Sequence, residues 1–537
     1  MFDLFKKKNQ NKKVQMRHFA SNLGRSITSI TTAKKELYHP PKKYSPSKYI
    51  CKDGYEFFGI TYDQTEEKYK PMYIPKAAIN HKLYVGYTRS GKGIVIGNNV
   101  LETLRYKDGL IYVDVKQEDF TPQIIKEELE KQNRPEDFLI VNYPNDFGYS
   151  GFNDDDTIIE MWEKISVALE FEKSTDPAVE HYRGNQRMTL LKILEVIYNP
   201  NNEKTKDNPK DWYFIMEYVR CLFDDLKKYK QLQEELQKVK PNQNRIEKLS
   251  NMYFTTELLE ELQFNAKNIA ALEMIYMKIF ELLLNANIYT KYSIKEALYN
   301  GKVLYFKCDM ENSSSLQMLK LLYIDISQTV RKEKAKGNLA NCHAIFDEVS
   351  FYVSKRLSGG LSTLAGFGVN CSLLLQDLSQ IEDMSVRNAI LSNSTVKLFY
   401  KISDTETLKY VGLLGGDEVV TKYSKRNLED TFSQDLEPLL NTTRIRAMWF
   451  QQHAILISEY LNTAVFVETH FVKCSNPFNW DEINKKVSKP NKVTFELKEQ
   501  KIIKDPNIKI EHGENTNIKE DVLSILANAA DDDIVDF

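Results

Sequence analysis

The chain has 537 residues, 42% of them hydrophobic, and a formal net charge of -2. That length allows two or three domains, each with a real core, so the chain should fold without staples. No window approaches the ~18 uninterrupted apolar residues of a membrane span, and Met1-Phe2-Asp3-Leu4-Phe5-Lys6-Lys7-Lys8 lacks the apolar stretch of a secretory signal, so a cytoplasmic protein without a transmembrane helix is expected. Six cysteines (Cys51, Cys221, Cys308, Cys342, Cys371 and Cys474) form no CxxC or Cys/His cluster and read as reduced core residues.

In chain order, residues 1–80 form a leader and lead-in strands. From Met1 to Lys48 the chain is strongly basic, with Asp3 and Glu36 its acids. With Phe2, Leu4 and Phe5 ahead of the lysines it suits a nucleic-acid arm or a weak anchor on an anionic membrane face, and equally a solvated leader. Next comes Gly86-Tyr87-Thr88-Arg89-Ser90-Gly91-Lys92-Gly93, between the apolar run Lys82-Leu83-Tyr84-Val85 and a helix-like stretch from Ile94 to Arg105. A GxxxxGK match alone also fits a Gly-rich turn. Placed between strand and helix, it reads as a phosphate-binding loop whose backbone N–H groups curl around phosphates while Lys92 supplies a point charge. Gly93 stands where a Ser or Thr hydroxyl usually holds Mg²⁺.

Strand and helix signals then alternate: Leu110 to Val113, Pro122 to Gln132, Phe138 to Val141. This βαβ grammar predicts an α/β fold with a parallel sheet over 81–154. From 155 to 300 the strand signal gives way to helical spacing, as in Leu272, Ile275, Ile279 and Leu282, which predicts an all-α insertion domain. Alternation resumes over 301–488 with Val303 to Phe306, a helix from Leu316 to Lys334, Ala344 to Phe346, Ser372 to Leu375 and Val396 to Phe399. Residues 489–537 read as a flexible tail whose acidic end, Asp531 to Phe537, is either a protein-docking peptide or a solvating segment.

Phosphoryl transfer needs a carboxylate to fix Mg²⁺ and a second group to polarise the attacking water, both at the carboxyl end of a buried strand. Asp347 and Glu348, directly after Ala344-Ile345-Phe346, supply that pair, with Asp347 for the metal and Glu348 for the water. Two acids simply ending a strand are the structural alternative. Gln376, after the apolar run Cys371 to Leu375, is placed to touch a γ-phosphate, or else caps a helix or faces solvent.

In this order, Thr88-Arg89-Ser90-Gly91-Lys92-Gly93, Asp114-Val115-Lys116-Gln117-Glu118, Asp347-Glu348, Gln376-Asp377-Leu378-Ser379-Gln380 and Ser403-Asp404-Thr405-Glu406-Thr407 resemble the type IV secretion coupling proteins, the TraG/TraD-type conjugative ATPases. The similarity spans about His81 to Asn145 and Gly301 to Gly416, with the helical insertion in the same place. It implies a RecA-like P-loop ATPase using ATP and Mg²⁺, assembled as a homo-hexameric ring peripheral to the cytoplasmic face of the inner membrane. Such a motor would deliver a relaxase-bound single DNA strand or a protein effector to the secretion channel, contacting DNA without sequence preference. The resemblance also accounts for Gly93, since the family commonly carries glycine after the loop lysine. Three features depart from it. There are no membrane-spanning helices, Ala365 stands where relatives often carry an arginine, and Gln117 stands where a glycine is frequent. An arginine finger would then be absent, displaced to Arg356 or Arg387, or supplied by another protein. A soluble DNA translocase and a non-hydrolysing ATP-dependent cargo receptor are the rival readings.

Overall fold

A computed structural model of the chain describes residues 43–63, 66–174, 176–201, 208–222, 266–284, 286–426, 429–446, 448 and 453–485. The expectations for residues 1–42 of the basic leader and for the tail beyond 485 lie outside these residues.

An eleven-stranded sheet organises everything else, in the order β2-β1-β13-β12-β9-β3-β8-β7-β4-β6-β5. Its parallel part is β9 (Ser394–Phe399), β3 (His81–Val85), β8 (Val369–Leu375), β7 (Cys342–Phe346), β4 (Gly109–Asp114), β6 (Val303–Lys307) and β5 (Phe138–Asn142). Beyond β9 the pairing turns antiparallel through β12 (His453–Ser458), β13 (Val465–Glu468), β1 (Tyr55–Asp63) and β2 (Lys68–Pro75). A separate hairpin joins β10 (Asp417–Arg426) to β11 (Glu429–Pro438).

The parallel strands are apolar on both faces because helices cover both. Leu83, Val85, Val113, Phe306 and Phe346 point into one core, and their chain neighbours Tyr84, Tyr112, Tyr305 and Ile345 into the other. This period-two alternation lets five-residue strands serve two layers at once. On the second face lie α1 (Lys92–Tyr106) and α2 (Phe120–Lys131), together with the aromatic side chains of β1.

The first face packs against α3 (Ile158–Ala168), α4 (Pro177–Ile197), α5 (Ala266–Leu284), the short α6 (Lys295–Tyr299) and α7 (Ser313–Ala335). Leu272, Ile275, Ile279 and Leu282 of α5 are fully buried, forming the stripe their spacing predicts. The start of α3 is fixed by a capping box in which Thr157 and Glu160 satisfy each other's backbone N–H groups. Five further helices follow in the chain: α8 (Lys355–Leu364), α9 (Met384–Asn393), α10 (Thr405–Leu414), α11 (Thr442–Arg446) and α12 (Trp480–Lys485).

One buried polar cluster ties these helices together. Lys164 of α3, with no exposed side-chain surface, places Nζ 2.6 Å from Asp156 and 2.8 Å from Asp325 of α7. Asp325 also accepts from the Tyr149 hydroxyl at 2.7 Å and the Asn153 amide at 2.7 Å. Burial alone would lower the Lys164 pKa, but the two carboxylates outweigh it and hold the group above its ordinary range. Removing the cation would leave the buried Asp325 with no positive partner, while Asp156 would keep Lys332, 3.0 Å away. Lys164→Met is therefore expected to cost about 3–5 kcal/mol of stability, read as a lower urea or thermal unfolding midpoint.

Candidate nucleotide site

The carboxyl ends of β3, β8, β7 and β4 lie side by side, which is where open α/β sheets bind ligands. After β3 the chain turns at Gly86, whose N–H donates to Leu375 O at 3.2 Å. A Cβ on Gly86 would come within 2.6 Å of Ser90 Oγ and 2.7 Å of Tyr400 Cβ, so only glycine fits there. Gly91 closes the loop at φ 116, a left-handed conformation that L side chains avoid, and α1 starts at Lys92. Thr88, Arg89 and Gly93 are exposed, Tyr87 is half-buried, and Ser90 and Lys92 are buried. The loop thus presents backbone and helix N-terminus around the Lys92 ammonium, as anion binding requires.

Lys92 Nζ donates to the Gly86 carbonyl and sits 4.0 Å from Glu348 Oε1. Burial draws its pKa down to about 8, against the pull of Glu348. Glu348 follows Asp347 at the end of β7 and is left-handed at φ 46, which turns its carboxylate toward the loop lysine. Both acids are almost fully buried. Burial pushes Asp347 up to about 6, although Lys116 pulls the other way. Gln376, at the end of β8, donates to Glu348 Oε1 at 3.4 Å. Of the residues singled out in the sequence, Lys92, Asp347, Glu348 and Gln376 are therefore brought together.

The order of strands explains this grouping. β8 lies between β3 and β7, so Gln376 is placed between the phosphate loop and the acidic pair.

Sequence reasoning left the segment after β4 without a role, and the structure puts it in the same site. Lys116 Nζ lies 2.6 Å from Glu348 and 3.1 Å from Asp347. Burial would lower the Lys116 pKa, but the two acids hold it above the ordinary range. Its loop is fixed by Asp114, which accepts from Lys116 N at 2.9 Å, Glu118 N at 2.8 Å and the Tyr305 hydroxyl at 2.7 Å. Burial and neighbouring Glu118 push Asp114 up to about 7. From the far end of the chain, Phe478 N donates to Asp119 O at 2.8 Å and Trp480 Nε1 to Glu118 O at 3.3 Å. A Cβ on Gly93 would stand 3.6 Å from Glu118 Oε1, so a carboxylate faces the position where a loop hydroxyl is absent. The available signal was the D-x-K-x-E spacing at a strand end.

Two buried oxygens of the site, Ser90 Oγ and Glu348 Oε2, have no hydrogen-bond partner, and Asp347 Oδ2 meets the Lys116 ammonium at 3.1 Å without forming a hydrogen bond. Such orphaned groups, aimed at a cradle of N–H donors, fit a Mg²⁺–nucleotide whose phosphates and water would complete the metal shell. Among the described residues, no group of three or more His, Cys, Asp and Glu is arranged to hold a metal. The two arginines considered as fingers are engaged within the chain. Arg387 pairs with Glu406 at 2.7 Å, and Arg356 approaches Glu163 at 3.5 Å and Glu172 at 3.8 Å.

Comparison with known proteins gives two results. Residues 341–449 match the family model described as the TraM recognition site of TraD and TraG. The fold matches the plasmid coupling protein TrwB solved with ADP and Mg²⁺, at 15% identity over 76% of this chain and 89% of that one, with a TM-score of 0.51. It also matches TrwB with the non-hydrolysable ATP analogue ADPNP, at 16% identity over 80% and 98% of the two chains, with a TM-score of 0.50. No curated protein matches the sequence significantly.

Gln117 holds a left-handed φ of 57, which is the physical reason a glycine suits that position. Gln117→Gly is expected to raise stability by about 0.5–1 kcal/mol, seen as a higher unfolding midpoint. The RecA-like fold of TrwB and the sequence signature over 341–449 together bear out the resemblance of this chain to the TraG/TraD-type conjugative coupling proteins.

Proposed function

We propose that the protein is an ATP-hydrolysing coupling motor that recruits a DNA–relaxase complex or a protein effector and delivers it to a type IV secretion channel. The observation that carries this reading is the meeting of Lys92, Asp347, Glu348 and Gln376 at the carboxyl ends of three neighbouring strands. Lys92 and the N–H groups of residues 86–93 would bind the phosphates of ATP. Asp347 would hold Mg²⁺, which supplies charge neutralisation at the β- and γ-phosphate oxygens. Glu348 accepts the proton of the attacking water as its oxygen bonds to the γ-phosphorus, and the bond to the bridging oxygen breaks to release ADP and phosphate. Gln376, in contact with Glu348, senses whether the γ-phosphate is present.

The match over 341–449 supports an accessory partner of the TraM kind, and single-stranded DNA as cargo and a homo-hexameric ring at the inner membrane are part of the proposal. No helix of the described residues is long and apolar enough to cross a membrane. Membrane partners or the basic leader would hold the ring there. Ala365, in place of the arginine, favours a second reading as a non-hydrolysing ATP-dependent receptor.

Steady-state hydrolysis, alone and with single-stranded DNA, separates the two readings. The motor predicts DNA-stimulated turnover that Glu348→Gln lowers by about 10²–10⁴-fold with ATP still bound, and that Lys92→Ala abolishes together with tight nucleotide binding. Nucleotide binding and ring assembly without turnover in the unaltered protein would establish the receptor instead.

A further inference from the structure

The clearest feature that this mechanism leaves unused is a second lysine in the site. Lys116 does not belong to the phosphate loop. It stands in the loop after β4, with its ammonium 2.6 Å from Glu348 and 3.1 Å from Asp347. Those acids have 0% and 3% of their side-chain surface exposed, whereas Lys116 has 26%. The cation therefore has a path to water that its partners lack. Its backbone is not free to follow. Asp114, Tyr305, Phe478 and Trp480 pin the loop from both sides, so departure means rotation of the lysine side chain alone.

The charges define what the lysine does. Two neighbouring carboxylates in a buried position need compensation, and Lys92 reaches only Glu348, at 4.0 Å. The remaining positive charge comes from Lys116. A divalent ion bound at Asp347 would place a like charge beside that ammonium, and the two cannot share one carboxylate in a poorly solvated site. Resting on the nucleotide-site reading above, we propose that Lys116 is the resident counter-ion of the Asp347–Glu348 pair. It is a positioning residue that competes with the divalent metal for Asp347 and holds Glu348 until metal–nucleotide exchange displaces it.

Glu348 is in this way engaged by Lys116 before nucleotide arrives and released by loading. The coupling is electrostatic and reciprocal: whatever weakens the lysine's hold tightens the site for metal.

The test uses the full chain without nucleotide and Mn²⁺ as the probe, with free Mn²⁺ followed by electron paramagnetic resonance. The unaltered protein and Lys116→Arg, which keeps the charge, are expected to bind Mn²⁺ weakly. Lys116→Met and Lys116→Gln are expected to bind it about tenfold more tightly, and the gain should vanish when Asp347→Asn is added. Two neutral variants of different polarity guard against one that fails to fold, and circular dichroism identifies a folded one. If a folded neutral variant binds Mn²⁺ no more tightly than the unaltered protein, the counter-ion role is overturned. Titration of the same proteins with a fluorescent ATP analogue, with and without Mg²⁺, is read separately. Failure of all of them to bind it would overturn the nucleotide-site reading, whatever the Mn²⁺ result.

Discussion

Two adjacent carboxylates buried at the end of a strand are the constraint around which this site is built. Asp347 and Glu348 are 2% and 0% exposed, and acids so placed remain ionised only where cations and donors come to them. The fold supplies these from three directions: Lys92 from the loop after β3, Lys116 from the loop after β4 and Gln376 from the end of β8. Each arrives because its strand ends on the same edge of one parallel sheet. The strand order therefore does as much chemistry as any side chain.

The same need recurs away from the site. Lys164 between Asp156 and Asp325 is a structural counterpart, with no exposed side-chain surface. The contrast is instructive. A lysine enclosed by satisfied partners fixes the packing of α3 against α7, whereas a lysine with one side toward solvent and an unpartnered acid oxygen, Glu348 Oε2, beside it can exchange. Burial of the cation, more than its pairing, separates the two.

Several features were legible in the sequence for definite reasons. The phosphate loop declares itself because backbone curling requires glycines at fixed places, and Gly86 and Gly91 do occupy positions that other residues could not. β7 and β8 were readable from the short apolar runs Ala344-Ile345-Phe346 and Leu373-Leu374-Leu375, and the helix over Leu316 to Lys334 from its spacing, observed as Ser313–Ala335. The antiparallel extension through β12, β13, β1 and β2 was less accessible, because its pairing joins segments some 400 residues apart and no local pattern encodes a partner that distant. Lys116 and Glu118 were visible as part of a motif but carried no assignable role.

The sequence by itself determined the kinds of chemistry available: a glycine loop with a lysine, an acid pair after an apolar strand and an amide after another. Residue type and strand periodicity are local properties, fixed by sterics and burial. Only the tertiary structure decided that β8 lies between β3 and β7, that Glu118 faces Gly93, and that Lys116 lies against both acids. Those facts depend on which strand ends meet across the sheet, a choice made by packing two apolar faces at once, and no single segment of the chain contains it.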